Sequence, residues 1–182
     1  MQLKALIKNI DSACDIMRTQ AITSVSRSLT LRNWIIGYYI VEYEQKGQDR
    51  AVYGNKLIDN LSKELTHLKG ISATNLRLFR TFYLTYPQIQ QTVSGEFGMK
   101  LLAIQQTVST ELQIPVKKLI NSFTFSHFIE FLRIDDHLKR TFYEVETIKG
   151  NWSVRELKRQ ISSQIFIKDE LQDFEEQLET IT

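Results

Sequence analysis

The chain has 182 residues, of which 42% are hydrophobic and 24% are charged, so it is long enough for one domain or two small ones with a substantial core. Seven glycines and two prolines are too few for the many turns of a sheet-rich fold, and their scarcity favours long helices. The single cysteine excludes an internal disulfide.

The formal net charge of +2 conceals an uneven distribution. Residues 169–182 contain six acidic and no basic residues, which leaves 23 basic and 15 acidic residues over 1–168, a net charge of +8. A basic body with an acidic tail predicts a polyanionic partner, with the tail as a spacer or a competitor. An ordinary solvated basic surface gives the same numbers, so charge alone leaves both interpretations open.

The beginning of the chain has no basic segment followed by an apolar one, and therefore no secretory signal is expected. The longest apolar run, 34–41, has about eight residues, whereas a membrane span needs about 20. We expect a cytoplasmic protein without a membrane partner.

Helical periodicity begins at the N-terminus. One apolar face over residues 2–17 consists of Leu3, Leu6, Ile7, Ile10, Cys14 and Met17. The helical pattern continues over 19–46 and predicts a core segment near 34–41. Cys14 is expected to be a buried thiol, because free cysteine packs as a small hydrophobic residue.

Two helices are predicted next, at 54–68 and 73–85, joined by a break at Gly70 and an N-cap at Ser72. Later helices are predicted at 99–112, 126–133 (with an N-cap at Ser126), 136–149 and 154–167, and the acidic tail places Leu171, Phe174, Leu178 and Ile181 on one face. The expected fold is all-α, a helical bundle containing a helix-turn-helix (winged-helix-like) unit. The predicted parts are N-terminal helices packing on the core at 1–50, the helix-turn-helix at 51–90, a connector at 91–122, a C-terminal helical part at 123–168 and the acidic tail at 169–182.

Two short helices around a glycine-containing turn are the pattern of a helix-turn-helix, whose second helix enters the major groove of DNA. Arginine suits guanine, asparagine suits adenine, and threonine reaches phosphate or a thymine methyl group. The candidate base-reading residues are Thr74, Asn75, Arg77, Arg80 and Thr81, and the candidate phosphate contacts are Lys56, Lys63 and Lys69. An ordinary surface hairpin of two helices has the same spacing.

Catalytic and metal-binding signals are weak. His67, His127 and His137 lie in separate segments without cysteine or carboxylate at zinc-ligand spacing, and His127 is interpreted as structural. No glycine-rich phosphate loop occurs, so no cofactor is expected. Glu156-Leu157-Lys158 spells E-x-K, but it falls within a predicted helix and not on the strand that a nuclease site requires.

Five blocks of the sequence occur in a distinctive order: WIIG at 34–37, YGNKLIDNLSKEL at 53–65, NLRLFRTFYLTYP at 75–87, FSHF at 125–128 and NWSVRELKRQI at 151–161. With these blocks the chain resembles the YhcG-type family, a bacterial group whose N-terminal domain is uncharacterised. The order of the helices from the helix pair to the SVREL segment is also similar, more loosely, to the DNA-binding region of ParB-type partition proteins.

The resemblance implies a nuclease-associated function, because full-length members of the family end in a PD-(D/E)xK nuclease domain. This chain stops at Thr182, before such a domain could begin, so it is expected not to be an enzyme by itself. The leading hypothesis is a non-catalytic module that binds double-stranded DNA through the helix-turn-helix. The alternatives are a protein-interaction or regulatory subunit that binds a nuclease partner or forms a homo-oligomer, and a remnant of a truncated nuclease.

Overall fold

The computed structural model describes residues 3–46, 53–98 and 114–163. Over these ranges the chain consists of helices and turns without a strand, which confirms the predicted all-α class. The helices are α1 Leu3–Lys46, α2 Tyr53–Glu64, α3 Ala73–Thr85, a 3-10 turn Pro87–Ile89, α4 Gln90–Phe97, α5 Val116–Ser122, α6 Phe125–Phe131, α7 His137–Gly150 and α8 Val154–Ser163. The whole predicted helix at 99–112 and the whole acidic tail lie outside the described residues.

The C-terminal half of α1 is the central helix of the core. Trp34 is fully buried there, and its indole Nε1 donates a hydrogen bond of 2.8 Å to the carbonyl of Tyr86. Its ring lies 5.0 Å from that of Tyr83 and 6.3 Å from that of Tyr38. Such aromatic pairs each add about 0.5–1.5 kcal/mol beyond area burial, so this cluster firmly joins α1 to α3.

Helices α1 and α3 cross at very short distance. A Cβ atom on Gly37 would lie 2.0 Å from the carbonyl oxygen of Phe79 and 3.0 Å from the Cβ of Tyr83. Only a residue without a side chain permits this backbone approach. Gly37 therefore sets how α3, the candidate DNA-reading helix, is seated on α1.

Two apolar clusters hold the remaining helices. The larger cluster joins α1 and α3 to α4, α5, α6, α7 and α8. The smaller one seats α2 and the α2–α3 connection on α1 and α3, and its buried members are Ile40, Ile58, Ile71, Leu76 and Phe79. The position of the candidate site is thus determined by packing in the smaller cluster.

His127 has the structural role expected from the sequence. Its Nδ1 accepts a hydrogen bond from the Thr124 backbone N–H at 3.2 Å, and its Nε2 therefore carries the proton that it donates to the Trp152 carbonyl at 3.1 Å. Burial lowers the pKa of the imidazole and favours its neutral form. The N-cap of α6 is Thr124, and the predicted cap at Ser126 is wrong because the helix begins at Phe125.

Nothing in the described part of the chain packs against the N-terminal half of α1. Every residue from Leu3 to Val25 is exposed, and the first long-range anchor is Arg27, which binds Glu96 of α4 and Asn121 of α5. Cys14 is exposed, so the expectation of a buried thiol is wrong, because helical periodicity cannot show whether another element covers the face. Of the helices described, α1 included, none has the length and apolar character that a membrane crossing requires.

Candidate nucleic-acid interface

The connection between α2 and α3 is longer than predicted. Helix α2 ends at Glu64, four residues before the predicted end, and residues 65–70 form consecutive turns. Gly70 has φ +83°, a left-handed conformation that interrupts the helical path. The pair α2–α3 is therefore a helical hairpin with an extended connection, and the described ranges contain no strand that could form the wing of a winged helix.

The start of α3 is held by hydrogen bonds from its own side chains. The Ser72 hydroxyl accepts from the Asn75 backbone N–H at 3.2 Å, which confirms Ser72 as the N-cap. The Asn75 side-chain amide donates to the Gly70 carbonyl at 2.9 Å. Asn75 is thus occupied in closing the connection, although it was predicted as a base-reading residue.

One narrow stripe of α3 faces solvent. Thr74, Arg77 and Thr81 are exposed and follow one another at spacings of three and four residues, so they lie along one side of the helix. The Thr81 hydroxyl donates to the Arg77 carbonyl at 3.1 Å. The opposite side of α3 is buried in the core and consists of Leu76, Phe79, Phe82 and Tyr83.

Arg77 joins this stripe to α2. Its Nη2 lies 3.1 Å from Oδ1 of Asp59, and the side chains are 49% and 54% exposed. Lys56 lies one turn before Asp59 and Lys63 one turn after it, so both lysines project from the same side of α2. The ion pair therefore places the two lysines of α2 beside the exposed stripe of α3.

A further cation comes from α1. Arg32 is exposed, and its Nη2 lies 3.7 Å from the position that a Cβ on Gly70 would occupy, next to Lys69. No local sequence signal indicates this position of Arg32, since Arg32 is 38 residues from Gly70 and belongs to a helix interpreted as core. Lys56, Lys63 and Lys69 are exposed and form no ion pair within the described part of the chain.

Arg80 lies at the edge of this surface and has a different partner. Its Nε donates to Oε2 of Glu44 on α1 at 2.8 Å, and the Glu44 side chain is only 14% exposed. The carboxylate of Glu44 has little access to water, so losing the hydrogen bond from Arg80 would leave it unsatisfied and destabilise the fold. The exposed Arg77–Asp59 pair contributes only about 0–1 kcal/mol to stability. The two arginines predicted to contact DNA therefore differ. Arg77 can exchange Asp59 for another partner, whereas Arg80 has a structural role because it binds Glu44.

We expect Arg80→Ala to lower the free energy of unfolding by about 1–2 kcal/mol, because it leaves the carboxylate of Glu44 without its donor. The matched change Arg77→Ala should cost less than about 0.5 kcal/mol. Urea unfolding followed by circular dichroism measures both. Adding Glu44→Gln to Arg80→Ala should recover part of the loss, and equal effects of the two single changes would contradict this assignment.

The E-x-K sequence lies on helix α8. Glu156 and Lys158 flank Leu157, which is fully buried, and Glu156 faces Arg159 at 3.7 Å. Across the described residues, no group of three or more His, Cys, Asp or Glu side chains has the arrangement of a metal site.

The sequence that forms this all-α arrangement matches a known domain family. The sequence matches the DUF1016 N-terminal domain over residues 9–168, and the chain belongs to that family. A relative from Escherichia coli (strain K12) named "Putative nuclease YhcG" is 39% identical over 170 residues. The match covers 88% of this chain and 44% of that relative, so the chain spans less than half of its length. The predicted YhcG-type resemblance is confirmed, and no solved structure matches.

Proposed function

We propose that residues 1–182 form a non-catalytic DNA-binding module of a nuclease-associated family. The carrying observation is the Arg77–Asp59 contact, which brings the exposed stripe of α3 and the lysine side of α2 onto one surface. Arg32 and Lys69 extend this surface at the α2–α3 connection. The relative named as a nuclease supports nucleic acid as the polyanion.

The charges suit contact with phosphates more than base reading. Residues 53–86 carry five Lys or Arg and two carboxylates, and Arg32 adds a sixth cation. Asn75 is engaged with the connection and Arg80 with Glu44, which leaves Thr74, Arg77 and Thr81 of α3 to approach the DNA. We therefore propose that most of the affinity comes from phosphate contacts and that it falls steeply with salt.

The test uses a triple variant, Lys56→Ala, Lys69→Ala and Arg77→Ala, on a labelled DNA duplex in a fluorescence-anisotropy titration. All three side chains are exposed, so the fold should be retained. If the three contact phosphates, affinity should fall at least about 10-fold and the slope of log affinity against log salt should flatten by about 2–3.

The matched control removes the same charge from other surfaces of the body. Lys118→Ala, Arg155→Ala and Lys158→Ala change exposed cations of α5 and α8, with no ion pair among the described residues. This triple should retain most of the affinity. Equal losses in both triples would mean that binding follows net charge alone, and would reject the α2–α3 surface.

A second candidate function is a protein-interaction or regulatory subunit. The observation that favours it is the exposed apolar surface of the N-terminal half of α1, which has no contact with the DNA-binding surface proposed above. An absence of DNA binding at low salt in the native chain would leave this second candidate as the better one. DNA cleavage by residues 1–182 with added Mg²⁺ would contradict the non-catalytic assignment of both.

A further inference from the structure

The N-terminal arm, residues 3–25 of α1, is a helix without tertiary contacts to the other described residues. At 1.5 Å per residue it is about 34 Å long, and all of its side chains are exposed. Most helical stability in proteins comes from the packing of an apolar face and not from intrinsic helix propensity. Within the described ranges, the arm therefore has no partner for its apolar face.

The arm has a well-defined apolar face. Its members follow at spacings of four, three, four and three residues: Leu3, Ile7, Ile10, Cys14 and Met17. This is the spacing with which one helix packs along another helix. In the described ranges, the helices other than α1 have 14 residues or fewer and are seated in the body. A second arm has the matching length and pattern.

The charges of the arm determine the direction of pairing. Lys4 and Lys8 form a like-charge pair at i,i+4, and Asp11 and Asp15 form another, and both arrangements destabilise a lone helix. At about 100° per residue all four lie on one flank within an arc of about 60°. The described arm contains one ion pair, Asp15 to Arg18 at 3.9 Å, with both side chains almost fully in solvent.

We propose that two copies of this chain associate through their arms in antiparallel orientation. Reversing the second arm places its aspartates beside the lysines of the first: Lys4 faces Asp15 of the other copy, and Lys8 faces Asp11. In the register that sets Leu3 opposite Cys14 and Ile7 opposite Ile10 of the other copy, each lysine is offset from its aspartate by two residues, about 3 Å along the pair. The two bodies, which begin near Arg27, then lie at opposite ends of the paired arms. Antiparallel pairing thus buries the apolar face and gives each of the four charges a neighbour of opposite sign.

Sedimentation of the full chain, without DNA, tests the association. We expect a dimer with a dissociation constant of about 1–50 µM. Ile10→Glu should weaken it at least about 100-fold, because each dimer loses two buried isoleucines. Ile16→Glu is the matched control, since Ile10 and Ile16 are 53% and 51% exposed but lie about 120° apart around the helix. A monomeric native chain, or equal behaviour of the two variants, would overturn the proposal.

Two further variants test the direction. Lys4→Asp with Lys8→Asp should weaken the dimer, and adding Asp11→Lys and Asp15→Lys should restore it. In the Leu3→Cys variant, mild oxidation should link residue 3 to Cys14 of the other copy, because a disulfide needs Cα atoms within about 7 Å. The native chain should not crosslink, since its two Cys14 residues would be about 16 Å apart along the pair. Crosslinking of the native chain or no rescue by the fourfold swap would refute the antiparallel arrangement.

Discussion

Gly37→Ala is expected to lower the free energy of unfolding by about 3 kcal/mol or more, at the upper end of overpacking effects. The added methyl group would meet the carbonyl oxygen of Phe79 at 2.0 Å and its carbon at 2.7 Å. These are backbone atoms of α3, so relief requires moving the whole helix away from Trp34 and its aromatic neighbours. Thermal unfolding should show the midpoint lowered by about 6–12 °C.

The matched control for this prediction is Gly95→Ala. Gly95 lies within α4, and apart from its own helix no described atom lies within 4 Å of the Cβ it would gain. Alanine is favoured over glycine inside a helix by about 0.5–1 kcal/mol, so this variant should be slightly more stable than the native chain. If both alanine variants changed stability in the same direction, the close crossing of α1 and α3 would not be the cause.

A second large effect is expected from a buried carboxyl group. Glu144 of α7 lies in the core, where Tyr86 Oη donates to its Oε1 at 2.5 Å. Burial raises the pKa of Glu144 to about 7, although the Tyr86 hydrogen bond and the charge of Arg140 oppose this shift. Burial and the neighbouring carboxyl also raise the pKa of Tyr86, which remains the donor.

The pKa shift of Glu144 makes stability depend on pH. The folded chain retains a proton that the unfolded chain loses near pH 4.5, so this contribution is fully present below pH 4.5 and is lost as pH rises through about 7. The loss amounts to about 3 kcal/mol. Glu144→Gln cannot ionise, so its stability relative to the native chain should rise by that amount between pH 4.5 and 8.

Urea unfolding of the native chain and Glu144→Gln across this pH range provides the measurement. The comparison cancels the opposite contribution of His127, whose pKa is lowered by burial in both chains. Tyr86→Phe removes the hydroxyl that stabilises the carboxylate, so it should move the midpoint of the pH dependence upward. A pH-independent difference between the native chain and Glu144→Gln would show that Glu144 is ionised in the fold.

Local signals in the sequence were sufficient for much of the fold. The predicted bounds of α3, 73–85, agree with the structure, because Ser72 caps one end and Pro87 follows the other. The end of α2 was misplaced by four residues, since apolar spacing continued through Leu65 and Leu68 into the turns after the helix. Of the two, Leu65 packs on the smaller cluster and Leu68 is exposed. Sequence periodicity thus identified helices better than it identified where they end.

The candidate site was less predictable, because its contacts join distant segments. The sequence suggested the types of side chain on α2 and α3, but not that Arg80 binds Glu44 or that Asn75 closes the connection. Arg32 was missed because nothing local distinguishes a surface arginine from one beside Gly70. For the same reason, the exposure of Cys14 depends on which element covers α1, and spacing alone cannot show this.

The unbroken helix α1 has a consequence for how the arm and the body are coupled. A continuous helix transmits rotation, so the direction of the arm's apolar face is locked in phase with Gly37 and with the seat of α3. Inserting one residue between arm and body would turn that face by about 100° and advance it by about 1.5 Å. An insertion of 11 residues would nearly restore the phase, at about three full turns. The number of residues in α1 therefore fixes the distance between the arm and the body, and it also fixes the rotational orientation of the arm's apolar face relative to the body.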